Sequence, residues 1–456
     1  MKDLAVLGSG PGGYVAAIRA AQLGMAVTVV EEAETLGGIC LNWGCIPSKA
    51  LLRNCEVLHL VRDAQSFGIQ VGEVAADFDS AISRSREVVQ RLTQGVAFLM
   101  RKNGIEVVRG RGRLVSEQII EVAGLGQRVT ASQIVIATGA RPKNPPGLDP
   151  DGRTSFTSRE ALELRRLPAS CVIVGGGAIG VEFAYVYSSY GVRVTVVEAL
   201  ARLLPQEDED VSRELTRQFE RQGIAVVTGK LIQRSERQGD SWRLHLEGGE
   251  VLETEMVLSA TGVQGNVEEL GLEELGVALE GGWIKVDSQQ RTNVPGVFAI
   301  GDVTGPPLLA HAASAEGVIA VETAAGREVP PLDPVQVPRC TYCQPQVAST
   351  GLTEAQARER GLTVRVGKFP FSASGKAIAM GETVGFIKTV VDGASGRLLG
   401  THAIGAEVTE LLPEMVLAAW AGVKADQFEA LVHAHPTLSE SLKEAALAAE
   451  GLAIHI

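Results

Sequence analysis

The chain has 456 residues, of which 45% are hydrophobic and 21% charged, a balance typical of globular proteins. At roughly 150 residues per domain, this length predicts about three domains. Acidic residues outnumber basic ones by 54 to 42, and the net charge of −12 argues against nonspecific binding to nucleic acid or anionic membranes. The apolar runs are shorter than the roughly 20 residues of a membrane helix, and no signal peptide is recognisable at the start, so we expect a cytoplasmic protein.

The chain opens with a unit that later recurs. A short apolar strand, Leu4 to Leu7, leads into a glycine-rich turn, a helix and a second strand that ends at Glu31. The same order returns from Cys171 to Glu198. Strand, glycine turn, helix and strand begin a parallel doubly wound sheet, so the repeat predicts an α/β fold with two Rossmann-like dinucleotide-binding domains.

Each copy carries the spacing Gly-x-Gly-x-x-Gly between its strand and its helix. The glycines are Gly8, Gly10 and Gly13 in the first copy, and Gly175, Gly177 and Gly180 in the second. Such glycines let a pyrophosphate approach the helix N-terminus, and Glu31 and Glu198 could accept hydrogen bonds from ribose hydroxyls. Two sites predict FAD plus a nicotinamide cofactor, and Glu198 favours NAD because it would repel a 2′-phosphate. The alternative is that the glycines serve only helix–strand packing.

Further elements follow in chain order. Strands ending in Ala-Thr-Gly occur in both copies, at Thr138-Gly139 and at Gly262, and the Pro-rich segment 141–150 is predicted to be an exposed connection. A strand over 297–302 leads into a helix over 311–325. From Pro338 onward, short alternating strands and two helices predict a separate C-terminal α+β domain.

A cysteine pair lies between the first copy's second strand and the next helix. Cys40 and Cys45 flank a loop short enough to be bridged, and Pro47 suits the first turn of the following helix. A thiol at a helix N-terminus, with Lys49 one turn further on, should have a lowered pKa. The alternatives are two inert buried thiols, or a zinc site for which no second ligand pair is near.

The other four cysteines are interpreted differently. Cys55 lies on a helix and Cys171 in an apolar strand, so both are expected in the core. Cys340 and Cys343 have redox-motif spacing but lack a helix start or a histidine beside them, which favours a structural role.

A histidine and a carboxylate stand close together near the C-terminus. His435 and Glu440 could form a general base whose tautomer is held by the carboxylate. The spacing Thr437-x-x-Glu440 is equally a capping box for the next helix, which would explain Glu440 without catalysis. Spacing alone does not separate these two interpretations.

Five separated motifs occur in one order: both glycine fingerprints, the run from Gly37 to Lys49, Gly301-Asp302, and His435-Pro436 to Glu440. Together they resemble the FAD-dependent pyridine nucleotide–disulfide oxidoreductases over essentially the full length. The run Asn42 to Lys49 most resembles the dihydrolipoamide-oxidising branch of that family.

The resemblance implies roles for individual residues. Cys40 and Cys45 would form a redox disulfide, Lys49 would pair with Glu182 beside the flavin and nicotinamide, and Asp302 would hold the flavin. His435 and Glu440 would serve the cysteine pair of a partner subunit in a homodimer. The cofactor-contacting residues implied in addition are Thr138, Gly139, Ala310 and Gly262. No resident metal is implied.

The resemblance also implies four regions: an FAD-binding domain (1–147), an NAD-binding domain (148–266), a central domain that completes the FAD site (267–335) and a C-terminal dimerisation domain (336–456). The expected reaction is oxidation of dihydrolipoamide to lipoamide by NAD⁺, and the expected partners are lipoyl domains and a 2-oxo acid dehydrogenase core. The alternatives are an NAD(P)H-dependent reductase of another disulfide and a non-catalytic nucleotide-binding assembly subunit. The segment after Gly262 lacks the arginine often found there in the family.

Glutathione and trypanothione reductases are disfavoured by Glu198, because they generally carry basic residues for NADP there. Mercuric reductase is disfavoured because the C-terminal segment carries no vicinal cysteine pair.

Overall fold

The computed structural model describes residues 1–124, 126–145 and 147–456. Its first elements alternate strands with helices, as the repeat predicts. They are β1 (Lys2–Leu7), α1 (Pro11–Gln22), β2 (Val27–Glu31), α2 (Gly38–Trp43), α3 (Cys45–Arg62), α4 (Phe78–Lys102), β3 (Glu106–Arg109), β4 (Gly112–Ser116), β5 (Ile119–Val122), β6 (Gln127–Ile136) and β7 (Ala140–Pro142).

The second copy follows in the same manner. Its elements are β8 (Ser155–Thr157), α5 (Ser158–Ala161), β9 (Ser170–Val174), α6 (Ala178–Ser189), β10 (Arg193–Glu198), α7 (Glu209–Arg221), β11 (Ala225–Thr228), β12 (Ile232–Gln238), β13 (Ser241–Leu246), β14 (Val251–Thr254), β15 (Met256–Ser259) and β16 (Val263–Gly265).

The remaining elements are β17 (Leu279–Glu280), β18 (Trp283–Ile284), β19 (Val297–Ala299), α8 (Ala310–Ala324), β20 (Arg339–Thr341), β21 (Gln346–Gly351), α9 (Glu354–Glu359), β22 (Val364–Pro370), α10 (Gly375–Met380), β23 (Phe386–Asp392), β24 (Leu398–Gly405), α11 (Val408–Trp420) and α12 (Glu440–Ala448). Short 3₁₀ helices cover Ala64–Phe67, Gly301–Thr304, Phe371–Ala373 and Ala425–Ala430.

The first sheet has a parallel core in the order β3-β2-β1-β6, and the antiparallel strands β5 and β4 extend it. The late strand β19 joins the other side of β6 in parallel, so residues far along the chain complete this sheet. Alternate residues of β1 enter two different cores, because side chains alternate across a strand. Leu4 and Val6 pack with α1, whereas Ala5 and Leu7 pack with β4 to β6.

The second sheet is parallel throughout, in the order β11-β10-β9-β15-β8. Its α6 packs against α3 of the first unit in one shared core that includes Leu51, Cys55 and Val181. This packing brings the helix after the cysteine pair against the helix after the second glycine turn. The C-terminal region forms an antiparallel sheet in the order β20-β21-β24-β23-β22, with α11 and α12 packed on it. The α/β fold class with a C-terminal α+β region is confirmed.

The segment 141–150 is more structured than an exposed connection. β7 pairs antiparallel with β16, and Leu148 is buried. The prediction holds at Lys143, Gly147, Asp149 and Pro150, which are exposed, and is wrong at β7 and Leu148. A Pro-rich composition does not reveal strand pairing across more than a hundred residues. Pro146, in the same segment, lies outside the described residues. Within the described part of the chain, no helix has both the length and the apolar character that a bilayer crossing requires.

Candidate active site

The two glycine-rich turns have the same geometry. Gly8 and Gly175 have φ values of 103° and 112°, in the left-handed region that favours glycine. A Cβ on Gly13 would lie 2.1 Å from the carbonyl oxygen of Gly8, and one on Gly180 would lie 1.9 Å from that of Gly175. Glycine at these positions therefore lets each helix start directly against the end of its strand.

The first N–H groups of both helices are open to an anion. Gly10 precedes α1 and Gly177 precedes α6, and neither helix has a side-chain cap. A Cβ on Gly177 would meet no atom within 4 Å, and one on Gly10 would meet only the Cα of Gly38 at 3.9 Å. Uncapped N–H groups at the positive end of the helix dipole suit a pyrophosphate, so both sites fit a dinucleotide.

The acidic residue that ends each second strand is buried and bound to backbone. Glu31 accepts hydrogen bonds from Ser9 N at 2.8 Å and Ala33 N at 2.9 Å. Glu198 accepts them from Gly176 N at 2.6 Å and Leu200 N at 2.7 Å. A carboxylate has about four acceptor positions, so each retains capacity for a ribose hydroxyl. Sequence reasoning missed that these residues also brace their own glycine turns.

Hydrogen bonds to Asn266 and Lys143 tie the two Ala-Thr-Gly segments to the neighbouring unit. Thr138 Oγ1 donates to the carbonyl of Asn266 at 2.9 Å, and Asn266 Nδ2 donates to the carbonyl of Thr138 at 2.9 Å. The backbone N–H of Asn266 donates to the carbonyl of Gly139, and the carbonyl of Gly262 accepts from the N–H of Lys143, each at 2.9 Å. Thr138, Gly139 and Gly262 therefore lie where the two units meet.

Asp302 and Ala310 lie beside the first glycine turn. Asp302 belongs to the 3₁₀ helix after β19, and Ala310 is the first residue of α8, which also lacks a side-chain cap. A Cβ on Gly12 would lie 2.9 Å from the carbonyl oxygen of Ala313, so α8 and α1 approach closely at their N-termini. Burial raises the pKa of Asp302 and also that of Glu316, which accepts from Gly301 N at 2.7 Å.

The cysteine pair lies on two consecutive helices instead of one loop. Cys40 is in the short α2, and Cys45 is the first residue of α3. The break falls at Gly44, where a Cβ would lie 2.9 Å from the carbonyl oxygen of Ile39. The prediction of a loop between the two cysteines is wrong, because the six residues before Gly44 form a short helix. The two sulfurs remain close enough to hydrogen-bond each other.

The two thiols differ in acidity. The hydrogen bond from Cys40 and the charge of Lys49 together lower the pKa of the Cys45 thiol to about 7. The same hydrogen bond, followed by burial, raises the pKa of Cys40 well above its ordinary value. Cys45 is also the exposed member of the pair. In the reduced pair, Cys45 is therefore the more acidic thiol.

Lys49 and Glu182 form an ion pair beside Cys45. Lys49 Nζ lies 2.9 Å from both carboxylate oxygens of Glu182, whose side chain is only 8% exposed. Tyr342, from the C-terminal region, adds two contacts that sequence reasoning missed. Its backbone N–H donates to Glu182 Oε1 at 3.0 Å, and Lys49 Nζ lies 4.6 Å from the centroid of its ring.

His435 and Glu440 contact each other directly. His435 Nδ1 lies 2.9 Å from Glu440 Oε1, and the imidazole is 79% exposed. Glu440 Oε2 also accepts from Thr437 N at 2.8 Å, so one carboxylate braces both the histidine and the turn. The full capping box is wrong, because α12 begins at Glu440 and Thr437 Oγ1 bonds Ala434 and Ser439 instead. Among the described residues, neither His435 nor Glu440 hydrogen-bonds to the cysteine pair.

The remaining cysteines lie in or beside the cores. Cys55, Cys171 and Cys343 are buried, and burial is the main cause that raises the pKa of each thiol. Burial also raises the pKa of Cys340, to about 11. These four thiols are therefore poor nucleophiles at neutral pH.

Comparison with known protein families matches the chain in two parts. Residues 2–317 match the family model described as pyridine nucleotide-disulphide oxidoreductase, and residues 337–446 match the dimerisation domain of that family. The chain belongs to the pyridine nucleotide-disulphide oxidoreductases. FAD and NAD are the cofactors of this family, which confirms the predicted pair, and the dimerisation domain supports the predicted homodimer.

Individual relatives are similar over their full lengths. The dihydrolipoyl dehydrogenase of Chlorobaculum tepidum is 48% identical over 97% of this chain and 96% of its own. That of Rhizobium etli is 46% identical and covers 98% of both chains. The crystal structure of LpdA from Mycobacterium tuberculosis superposes with a TM-score of 0.92 at 27% identity, over 98% of this chain and 99% of the other.

Proposed function

We propose that this chain oxidises dihydrolipoamide to lipoamide with NAD⁺. One observation carries the proposal: an acidic thiol, Cys45, lies beside Cys40 and the Lys49–Glu182 pair, between two open dinucleotide turns. The similarity to dihydrolipoyl dehydrogenases over nearly the whole chain supports this substrate.

The cysteines perform the exchange with the substrate. The reaction starts with Cys40 and Cys45 joined as a disulfide, and a substrate thiolate attacks the Cys40 sulfur. A mixed disulfide forms at Cys40, and Cys45 leaves as a thiolate that Lys49 stabilises. The second substrate thiolate attacks the substrate sulfur of the mixed disulfide, so lipoamide leaves and Cys40 takes up a proton.

His435 manages the protons of the substrate thiols. Its Nε2 accepts the proton of the first thiol and releases it to solvent, then accepts the proton of the second thiol and passes it to Cys40. Glu440 on Nδ1 holds the tautomer and stabilises the imidazolium. Among the described residues of one chain, His435 forms no hydrogen bond to its own cysteine pair. In the homodimer, each His435–Glu440 pair would therefore serve the cysteines of the other subunit.

The dinucleotide sites divide between two cofactors. Gly8, Gly10, Gly13 and Glu31 would hold FAD, together with Asp302, Ala310 and the Thr138-Gly139 turn. Gly175, Gly177, Gly180, Glu198 and Gly262 would hold NAD. When bound, FAD supplies the two-electron relay between the cysteine pair and NAD⁺.

We also propose the boundaries 1–147, 148–266, 267–335 and 336–456 for the four regions, a cytoplasmic location, and lipoyl domains of a 2-oxo acid dehydrogenase complex as partners. The substrate chemistry supports these partners, because a lipoyl group is the protein-bound form of the same dithiol.

The decisive experiment compares substrates. Steady-state rates with lipoamide and glutathione disulfide, each with NADH and NADPH, should favour lipoamide and NADH. Preference for another disulfide would replace the proposed substrate, and no turnover of any disulfide would favour the assembly-subunit alternative. The Cys45→Ser variant should lose lipoamide turnover. It should also lose the long-wavelength absorbance of the two-electron-reduced enzyme, which arises from a thiolate beside the flavin. An unchanged spectrum would contradict the role given to Cys45.

A further inference from the structure

Tyr342 contacts both members of the ion pair that lies beside Cys45. Its backbone N–H donates to Glu182 Oε1 at 3.0 Å, the oxygen that also accepts from Lys49 Nζ at 2.9 Å. Its ring lies with the centroid 4.6 Å from the same Nζ. The ammonium of Lys49 therefore has the carboxylate and an aromatic ring as neighbours.

The position of that ammonium affects the Cys45 thiolate. The positive charge of Lys49 lowers the pKa of Cys45, whereas the negative charge of Glu182 raises it. If Lys49 moved away from Cys45, its positive charge would no longer offset the effect of Glu182, and the pKa of Cys45 would rise. An aromatic face attracts an ammonium within about 6 Å, so the Tyr342 ring stabilises the ammonium at its present place.

The segment that carries Tyr342 is anchored on both sides. Before it, Arg339 Nε lies 3.1 Å from Glu207 Oε1, whose side chain is 8% exposed. After it, Cys343 is fully buried, and its sulfur donates to the carbonyl of Pro345 at 3.4 Å. These contacts hold the Cys340-x-x-Cys343 segment in position, and with it the ring of Tyr342.

We propose that Tyr342 is a positioning residue for the redox thiol, and that the face of its ring holds the Lys49 ammonium within reach of Cys45. The inference rests on the proposed function, since it concerns the activation of Cys45. It assigns the effect to the ring, because the backbone N–H that holds Glu182 would persist with any side chain except proline.

The test measures the acidity of Cys45 directly. The holoenzyme is reduced with dithiothreitol, freed of it by gel filtration under argon, and alkylated with iodoacetamide across a pH series. Peptide mass spectrometry then follows the Cys45 adduct. In the wild-type protein the rate should titrate with a midpoint near pH 7. In Tyr342→Leu the midpoint should rise by roughly half a unit, so that alkylation below the midpoint slows by about threefold.

Two further variants separate positioning from general damage. Tyr342→Phe keeps the ring and should retain the wild-type midpoint. Tyr190→Leu removes an equally half-buried tyrosine at the end of α6, where its ring lies 5.0 Å from that of Phe78. This variant perturbs the helix of Glu182 without touching Lys49, so its midpoint should also remain at the wild-type value.

Each other result overturns the inference. An unshifted Tyr342→Leu profile would show that the ring does not position Lys49. An equal shift in Tyr190→Leu would reduce the effect to helix packing, and an equal shift in Tyr342→Phe would assign it to the hydroxyl. A wild-type midpoint at the ordinary thiol value, about 8.5, would also overturn the inference, because Cys45 would then not be activated. The proposed function itself fails only if lipoamide is not turned over. The two failures are therefore distinguishable.

Discussion

Lys49 Nζ lies 2.9 Å from both carboxylate oxygens of Glu182, although 133 positions separate the two residues in the chain. Lys49 is on α3, directly after the cysteine pair, and Glu182 is on α6, directly after the second glycine turn. The two helices share one core, so the ion pair forms where the two dinucleotide units pack together. The charge beside the redox thiols therefore depends on the packing of both units.

Loss of Lys49 should make the Cys45 thiol less acidic. The depressed pKa of about 7 means that the thiolate persists above that pH and is lost as the pH falls through it. In Lys49→Ala the midpoint should rise by about one unit, because a nearby opposite charge no longer favours the ionised form. The pH titration of the long-wavelength absorbance of the reduced enzyme measures this midpoint.

The matched control is Lys285→Ala, which removes an exposed lysine paired with Glu280 at 3.2 Å. Its titration should superpose on that of the wild-type protein. A Lys49→Ala midpoint that stays near 7, in protein with normal FAD content, would show that the lysine does not stabilise the thiolate.

Replacement of His435 by Gln should slow dihydrolipoamide oxidation by about 10²- to 10⁴-fold, as expected for a lost general base. NADH-dependent reduction of a dye should change little, because that reaction does not need proton removal from a substrate thiol. Steady-state kinetics of the two reactions give the comparison.

His455→Gln is the control for this substitution. His455 Nδ1 lies 2.9 Å from Glu444 Oε1 and its ring is 69% exposed, so it matches the His435–Glu440 pair in distance and nearly in exposure. Both rates should stay near wild type in this variant. Equal losses of both activities in His435→Gln would indicate misfolding rather than a missing base.

Glu198 should set the preference between the two nicotinamide cofactors. In Glu198→Gln the negative charge is removed, and the ratio of kcat/KM for NADPH over NADH should rise about tenfold, or roughly 1.4 kcal/mol of differential binding. The residue at the same place in the first unit provides the control. Glu31→Gln should weaken retention of FAD and leave the NADPH-to-NADH ratio unchanged. A ratio that responds to Glu31 but not to Glu198 would reverse the assignment of the two sites.

Lys388 should be important for stability. Its side chain is 5% exposed and lies 2.9 Å from Asp208, 3.1 Å from Asp210 and 2.9 Å from Glu354. Lys388→Met would leave the buried carboxylate of Asp208 without its cation, at a cost of about 3–5 kcal/mol. The thermal midpoint should therefore fall by several degrees. Arg153→Ala breaks an exposed pair with Asp240 and should shift the midpoint far less, since exposed pairs contribute about 0–1 kcal/mol.

Local patterns in the sequence predict the parts of this protein that depend on neighbouring residues. The strand, glycine turn and helix of each unit follow from hydrophobic spacing and from the backbone freedom of Gly8 and Gly175. The placement of Cys45 at a helix start, one turn before Lys49, is likewise contained in a few consecutive residues. For the same reason, the spacing of His435 and Glu440 predicts their contact as one of two alternatives.

Only the tertiary structure decides contacts between residues that are far apart in the chain. Tyr342 lies 160 positions from Glu182, and its own segment predicts only a structural role, because its neighbours include no helix start or histidine. Asn266 joins Thr138 across 128 positions, and β7 pairs with β16 inside a segment expected to be an exposed connection. Such contacts depend on how the units pack, and no short-range pattern of residue types records that packing.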